Sequence, residues 1–118
     1  MTPKAESPGK VEQELRRGAV VLAVLSQLQA PQYGYSLRQA LAARDMPIEE
    51  GTLYPLLRRL EGQGLLGSEW RIEDGPPRRY YQLNTAGKQL LDDLTASWRS
   101  LVAAMDGLLA AGDDNDSR

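Results

Sequence analysis

The stretch GTLYPLLRRLE at residues 51–61 decides which fold the chain can adopt. Its leucines are spaced by three, one and three positions, as on one face of an α-helix: they are Leu53, Leu56, Leu57 and Leu60. At about 100° per residue these leucines point inward, and the opposite side carries Tyr54, Pro55, Arg58, Arg59 and Gly62. The stretch therefore predicts a helix that begins near residue 50, ends between Gly62 and Gly64, and presents two guanidinium groups outward.

Beyond this helix the hydrophobic period changes from 3.6 to 2, which predicts a β-hairpin. One side of the first strand carries Leu66, Ser68, Trp70 and Ile72. The sequence DGPP at residues 74–77 supplies a turn, and a second strand at residues 78–83 returns antiparallel. Arg78 and Arg79 are expected to project into solvent beside the hairpin tip. Tyr81 is expected in the core and Tyr80 on the surface, because neighbours alternate across a strand.

Two further helices are predicted ahead of residue 50. Residues 10–28 have a polar first turn and a stop at Ala30-Pro31, and residues 35–44 place Leu37, Ala40 and Leu41 on one face. Eight of the ten residues 19–28 are apolar, so the first helix needs cover on nearly every side. In so short a chain, part of that cover is expected from a second subunit.

A long final helix is predicted after Asn84, whose side chain can cap it. Apolar residues recur there at alternating spacings of three and four, which is the seam of a coiled coil. They are Leu91, Leu94, Trp98, Leu101, Met105 and Leu108. One subunit does not easily cover such a seam, so residues 85–111 are predicted to be a dimerisation helix with these six residues at the interface. Residues 1–9 are predicted to be a disordered arm and residues 112–118 a disordered acidic tail.

The composition excludes several kinds of chemistry. The chain has 118 residues, 42% of them hydrophobic, which is enough for one domain, and it contains neither Cys nor His. Disulfides, zinc-finger ligand sets and Ser-His-Asp triads are therefore excluded, and no cofactor or metal is expected. The longest apolar run, residues 19–25, is shorter than the roughly 20 residues of a membrane span, so a cytoplasmic location is expected.

The charge is unevenly distributed along the chain. The net charge is −2, but residues 1–91 carry 12 Lys and Arg against 10 Asp and Glu, whereas residues 92–118 carry 2 against 6. Adjacent arginines occur at residues 16–17, 58–59 and 78–79, and each pair can fork onto phosphate. An overall acidic chain therefore still offers basic surfaces that suit nucleic acid.

The order of the predicted elements defines the fold. Three helices followed by a two-stranded hairpin make a winged helix-turn-helix, here within residues 10–84. The predicted class is mainly α with a small β-hairpin, extended by the long C-terminal dimerisation helix. In this fold the third helix enters the major groove and the hairpin lies along the flanking backbone. Double-stranded DNA is therefore the expected partner.

Four segments resemble the PadR-like bacterial transcriptional regulators, over roughly residues 15–100. They are YGYSL at residues 33–37, GTLYPLLRRLE at 51–61, GLL at 64–66 with Trp70, and RRYYQL at 78–83. The single C-terminal helix resembles that of the short subgroup. Two departures are Asn84, where the family usually has Thr, and the prolines at 76–77 in the wing turn. Asn caps a helix as well as Thr does.

The resemblance implies a dimeric repressor that releases its operator when a small molecule binds, often a phenolic or flat aromatic compound. The matching positions give these candidates for operator contact: Tyr35, Arg38, Thr52, Tyr54, Pro55, Arg58, Arg59, Arg78 and Arg79. In short members a Trp on the final helix lines a cavity between subunits, and Trp98 occupies the matching place. The other candidates for effector binding are Val20, Leu94, Leu101, Val102 and Met105.

The residues themselves leave alternatives open. Arg58 and Arg59 also suit a solvated helix face, Tyr54 also suits packing on its own helix, and Trp98 also suits a dimer core. At the level of function, the overall acidity and the charged tail suit a winged-helix module that binds proteins rather than DNA. An enzyme is the weakest alternative, because no nucleophile, base and orienting group can be assembled. The paired carboxylates Asp92-Asp93 point about 100° apart on a helix and do not converge.

Overall fold

The computed structural model describes residues 8–116 and has the predicted order of elements. Four helices and one hairpin follow each other as α1 (Pro8–Gln27), α2 (Gly34–Ala42), α3 (Glu50–Gly62), β1 (Leu66–Arg71), β2 (Arg78–Leu83) and α4 (Thr85–Asp116). The predicted class, mainly α with a small hairpin and a long last helix, is confirmed. Among the described residues, none of the helices is both long and apolar enough to cross a membrane.

The leucine face of α3 forms the centre of the core. All four of its predicted inward leucines are buried, and Leu53 and Leu57 are completely inaccessible. They pack with residues of every other element, namely Val24, Leu25, Leu28, Leu37, Leu41, Leu66, Tyr81, Leu83 and Leu91. Because this face of α3 packs in the core, the opposite face lies on the surface of the domain.

The hairpin, which we call the wing, is fixed to the domain at its base. Its register pairs Leu66 with Leu83 and Ser68 with Tyr81. The backbone of Tyr81 exchanges two hydrogen bonds with Gln32, of 2.8 and 3.0 Å, which ties β2 to the α1–α2 connection. Tyr81 is buried, as predicted, whereas Tyr80, which was expected on the surface, is half-buried. Toward the tip the wing leaves the core, so Trp70 is exposed.

Ile72 departs from the predicted strand. It lies just beyond the end of β1, and its side chain is 75% exposed. The period-2 pattern that groups Ile72 with Leu66 therefore extends one residue past the end of β1. By residue 72 the wing has extended past the edge of the domain, so no partner side chains cover that position.

Asn84 caps α4 as predicted. Its Oδ1 accepts a hydrogen bond of 2.9 Å from the backbone N–H of Gly87, and its Nδ2 donates one of 2.8 Å to the carbonyl of Gly64. The first turns of α4 then pack on α1, where Leu91 is only 9% exposed. Its own chain already covers Leu91, which corrects the prediction that this residue lies at a dimer interface. The rest of the seam extends away from the domain.

The first and last helices extend into both segments that were predicted to be disordered. α1 begins at Pro8 rather than residue 10, because proline suits the first helical turn, where an N–H has no intrahelical acceptor. α4 continues to Asp116 rather than ending at residue 111. Extending an existing helix by one residue costs far less than nucleating one, so a single glycine at 112 does not stop it. The remaining parts of the predicted arm and tail, residues 1–7 and 117–118, lie outside the described residues.

Candidate nucleic-acid interface

The outward face of α3 carries two arginines of the predicted interface. Arg58 and Arg59 are both exposed, as are Thr52 and Pro55 nearer the helix start. In the part of the chain that the structure describes, no carboxylate forms a salt bridge with Arg58 or Arg59. Their guanidinium groups therefore retain the full set of donors that fork onto phosphate or guanine.

Tyr54 links α3 to the start of α2. Its ring lies against Gly34, and a Cβ at residue 34 would come within 2.5 Å of the ring atoms Cε1 and Cζ. The phenol still keeps 36% of its surface exposed. Tyr54 thus packs both its ring and its hydroxyl against the start of α2, while part of the residue remains exposed beside the α3 face.

The two candidates for operator contact on α2 have different surroundings. Tyr35 is 55% exposed, and its hydroxyl accepts a hydrogen bond of 2.7 Å from Gln39. Arg38 instead reaches the start of α3, where Nε donates to the carbonyl of Ile48 at 3.2 Å and Nη1 pairs with Glu50 Oε1 at 3.1 Å. Arg38 therefore joins α2 to α3 and carries a partly neutralised charge toward the solvent.

The wing separates the arginine pair at residues 78–79. Strand alternation places Arg78 and Arg79 on opposite faces of the hairpin. Arg78 is exposed and lies over the ring of Tyr33, 4.7 Å from its centroid. On the same face the guanidinium of Arg71 lies 4.3 Å from the centroid of Tyr80. Arg71 is paired with Glu69 on this face at 2.7 Å, so the outer face of the wing is aromatic and its accessible positive charge comes from Arg78.

Arg79 lies on the inner face of the wing and does not project freely into solvent, which corrects the prediction for this residue. Its Nη2 donates to both carboxylate oxygens of Glu61, at 3.0 and 3.2 Å, and its Nε donates to Ser68 Oγ at 3.1 Å. The Ser68 hydroxyl in turn donates a short hydrogen bond to Glu61 Oε2. We call these three residues the wing-base cluster.

The wing-base cluster stabilises the ionised form of Glu61. The hydrogen bond from Ser68 lowers the pKa of the Glu61 carboxyl, and the adjacent Arg79 guanidinium lowers it further, against an opposing effect of burial. Sequence reasoning missed Glu61 and Ser68. One signal was present: alternation places Ser68 on the same strand face as Trp70, whose cross-strand partner is Arg79, so Ser68 and Arg79 are diagonal neighbours.

The seam of α4 continues as an apolar stripe that its own chain leaves uncovered. Its exposed members are Trp98, Leu101, Val102, Met105, Leu108 and Leu109. Leu94 is half-buried against the core, as is Val20 on α1. Within one chain Val20 does not meet Trp98: it lines a separate groove of about 720 Å³ between α1 and α3. Only the α4 members of the predicted effector site are therefore brought together by this chain alone.

Among the side chains that the structure describes, no group of three or more Asp or Glu is arranged to hold a metal ion. The structure does bring together the exposed, arginine-bearing helix α3, the wing with its exposed Arg78, and the long helix α4. Together they define a winged helix-turn-helix transcriptional regulator.

Comparison with known proteins identifies the family. The model of the transcriptional regulator PadR-like family matches residues 21–93, so the chain belongs to this family of DNA-binding transcriptional regulators, which are not enzymes. It is 41% identical over 81 residues to transcriptional regulator Rv3488 of Mycobacterium tuberculosis, a match that spans 68% of this chain and 76% of that protein.

Solved structures show the same architecture. The crystal structure of a PadR family transcriptional regulator from Eggerthella lenta DSM 2243 aligns with a TM-score of 0.81 at 48% identity, covering 86% of this chain and 90% of that one. A PadR-like transcription factor from Bacteroides fragilis aligns with a TM-score of 0.70 at 36% identity, covering 84% of this chain and 98% of that one. Both likenesses extend across the helices and the wing into α4.

Proposed function

We propose that this chain is a cytoplasmic, ligand-responsive repressor that binds a pseudo-palindromic operator as a homodimer and is released by a planar aromatic effector. The observation that carries the DNA-binding part is the outward face of α3. Its leucine face is buried, while Arg58 and Arg59 are exposed and form no salt bridge within the described residues. A helix in this position can enter a major groove without rearrangement of the core.

The operator contacts divide between bases and backbone. The start of α3, with Thr52, Tyr54 and Pro55, faces base edges, and Arg58 and Arg59 behind it bind phosphate or guanine. Tyr35, Arg38 and the wing, through Arg78, bind the flanking phosphates. Arg79 belongs to the same set of candidates, but its guanidinium is already paired with Glu61.

Homodimerisation is supported by the exposed stripe of α4. Trp98 is 45% exposed and Leu108 is 67% exposed, on a helix whose apolar residues recur at heptad spacing. A second copy of the same helix is the simplest partner for such a stripe, because a two-fold axis pairs each patch with itself. The dimer places two copies of α3 in successive major grooves, about 34 Å apart or more.

The effector site is proposed between the two copies of α4. Trp98 presents an indole at the stripe, and Met105 beside it is a flexible side chain that adapts to irregular gaps. Two symmetry-related indoles would stack a planar guest between them, with Leu94, Leu101, Val102 and Val20 as apolar walls. Binding there changes the separation of the two α3 helices, so effector and operator affinities are coupled.

Salt-dependent DNA binding tests the proposal. The wild-type chain selects duplexes from a random-sequence library and from the DNA flanking its own coding sequence, and fluorescence anisotropy gives the affinity at several salt concentrations. Arg59→Ala should reduce the slope of log K against log salt by about 1 if Arg59 binds phosphate, or relax one base position if it reads guanine. Arg99→Ala, on exposed α4, is the matched control and should change neither.

Two results would contradict the proposal. An Arg59→Ala protein that binds DNA as the wild type does removes Arg59 from the interface. A wild-type chain without any salt-dependent DNA binding refutes the DNA-binding role as a whole, and leaves the protein-binding module as the better hypothesis.

A further inference from the structure

We propose that Glu61 is a positioning residue, which fixes the wing on α3 by holding Arg79, and that Arg79 acts through this contact rather than as a phosphate ligand. The inference rests on the proposed role of α3 and the wing in DNA binding. It assigns different tasks to two adjacent arginines that look equivalent in sequence. Arg78 offers its positive charge to the DNA backbone, whereas Arg79 fixes the orientation of the wing relative to α3.

The location of the wing-base cluster gives it this role. Glu61 lies in the last turn of α3, Ser68 on β1 and Arg79 on β2, so three side chains join the helix to both strands. At its base the wing is held by buried Leu66, Tyr81 and Leu83. Beyond the cluster Trp70 is 64% exposed, so the tip is supported on this face by little else. The cluster therefore contributes to the angle between α3 and the wing, together with the contact between Tyr80 and Tyr33 on the outer face, where the ring centroids lie 5.3 Å apart.

The hydrogen bonds of the cluster are directed at one another. Arg79 uses Nη2 for both oxygens of Glu61 and Nε for Ser68, and Ser68 donates to Glu61. The side chain of Glu61 is only 28% exposed and that of Arg79 is 40% exposed. Charge-assisted bonds between partly buried groups are among the stronger polar contacts in a protein. These hydrogen bonds hold the three side chains in one arrangement, unlike a single ion pair on an exposed surface.

Electrostatics disfavour Arg79 as a phosphate ligand. Its Nε and Nη2 donors are used within the cluster, so a phosphate would meet the remaining Nη1 beside the Glu61 carboxylate, whose negative charge repels it at a cost in binding free energy. Arg78 bears no such cost, because it is exposed on the outer face and lies over the neutral ring of Tyr33. The two arginines should therefore differ in salt dependence, although they are neighbours in sequence.

The test compares four full-length variants with the wild type on a duplex that the wild type selects: Arg78→Ala, Arg79→Ala, Glu61→Gln and the double variant Glu61→Gln with Arg79→Ala. Arg78→Ala should reduce the salt slope by about 1, as loss of one phosphate contact does. Arg79→Ala should weaken binding about fivefold with an unchanged slope, and the double variant should be no weaker than Arg79→Ala alone. Circular dichroism and thermal melting confirm that each variant is folded.

The Glu61→Gln variant distinguishes a positioning role of Glu61 from a purely electrostatic one. Removing a negative charge near DNA should strengthen binding if charge alone matters. Positioning predicts the reverse, about a fivefold loss at unchanged slope, because the wing loses its fixed angle. If Glu61→Gln binds more tightly with a slope steeper by about 1, or if Arg79→Ala reduces the slope as Arg78→Ala does, then Arg79 is a phosphate ligand and the inference is wrong.

A charge swap gives a second, independent test of the pairing between residues 61 and 79. In the double variant Glu61→Arg with Arg79→Glu the ion pair is rebuilt in reverse, so positioning predicts tighter DNA binding than Arg79→Glu alone. No recovery in a folded protein would overturn the inference. The proposed function fails separately, since it requires wild-type salt-dependent binding and the effect of Arg59→Ala, neither of which involves Glu61.

Discussion

The ring of Tyr54 on α3 lies directly against Gly34, the first residue of α2. Gly34 has no left-handed backbone conformation, so space rather than backbone freedom requires glycine there. The ring occupies the volume in which any Cβ would lie. This contact sets how closely the start of α2 approaches the face of α3 that is proposed to bind DNA.

Gly34→Ala should destabilise the fold by about 1–3 kcal/mol, because the added methyl group overlaps the Tyr54 ring and forces one helix to move. Urea unfolding at a fixed protein concentration measures the difference. Gly18→Ala is the matched control: Gly18 lies within α1, where an added Cβ meets no atom within 4 Å, so this change should be neutral or slightly stabilising. The double variant Gly34→Ala with Tyr54→Ala should lose less than the sum of the two single changes. Equal stability of the Gly34→Ala and Gly18→Ala proteins would contradict the contact.

Periodicity predicted the parts of this fold that depend on one element at a time. The leucine spacing of α3 gave both its core and its surface face, and alternation gave the burial of Tyr81. Contacts between elements were not predictable in the same way. The contact of Tyr54 with Gly34 and the pairing of Arg79 with Glu61 depend on the distances between α2, α3 and the wing. The spacing of residues along the sequence does not specify those distances. The heptad spacing places Leu91 at the dimer seam, yet in the structure Leu91 packs in the core of its own chain.

The contribution of Glu61 to stability should depend on pH in one direction. The folded state lowers the pKa of the Glu61 carboxyl below its ordinary value of 4.5, first through Ser68 and then through Arg79. A depressed carboxyl pKa stabilises the fold fully above the unfolded value, and that stabilisation is lost as pH falls through the folded pKa. Glu61→Gln should therefore cost about 0.5–1 kcal/mol near pH 7, and this cost should shrink below pH 4.5.

Chemical unfolding of wild type and variant across pH measures this difference. Glu73→Gln, at an exposed position in the wing turn, is the control and should leave stability unchanged. A Glu61→Gln penalty that stays constant from neutral pH to below pH 4.5 would show that ionisation of Glu61 contributes nothing.

The exposed stripe of α4 predicts how self-association responds to charge. Leu101→Asp should shift the chain from dimer to monomer at micromolar concentration, because a two-fold interface would bury two carboxylates against apolar side chains. Ser100→Asp introduces the same charge one residue away, off the stripe, and should leave the dimer intact. Sedimentation velocity distinguishes the two species. A wild-type chain that sediments as a monomer, or variants that dissociate equally, would remove α4 as the interface.

The two tryptophans of the chain allow the effector site to be tested with matched reporters. Trp98 lies on the α4 stripe and Trp70 on the wing, and both are exposed, so a dye that binds without a defined site should quench either one. In the Trp70→Phe protein, planar aromatic dyes should quench the remaining Trp98 in a saturable way, and in the Trp98→Phe protein they should bind at least about fivefold more weakly. The same dyes should weaken operator binding of the Trp70→Phe protein about 5- to 150-fold, because coupling between two sites acts equally in both directions. Equal dye affinity in the two proteins would remove Trp98 from the site, and saturable binding at Trp98 with no effect on DNA would show a pocket that does not regulate.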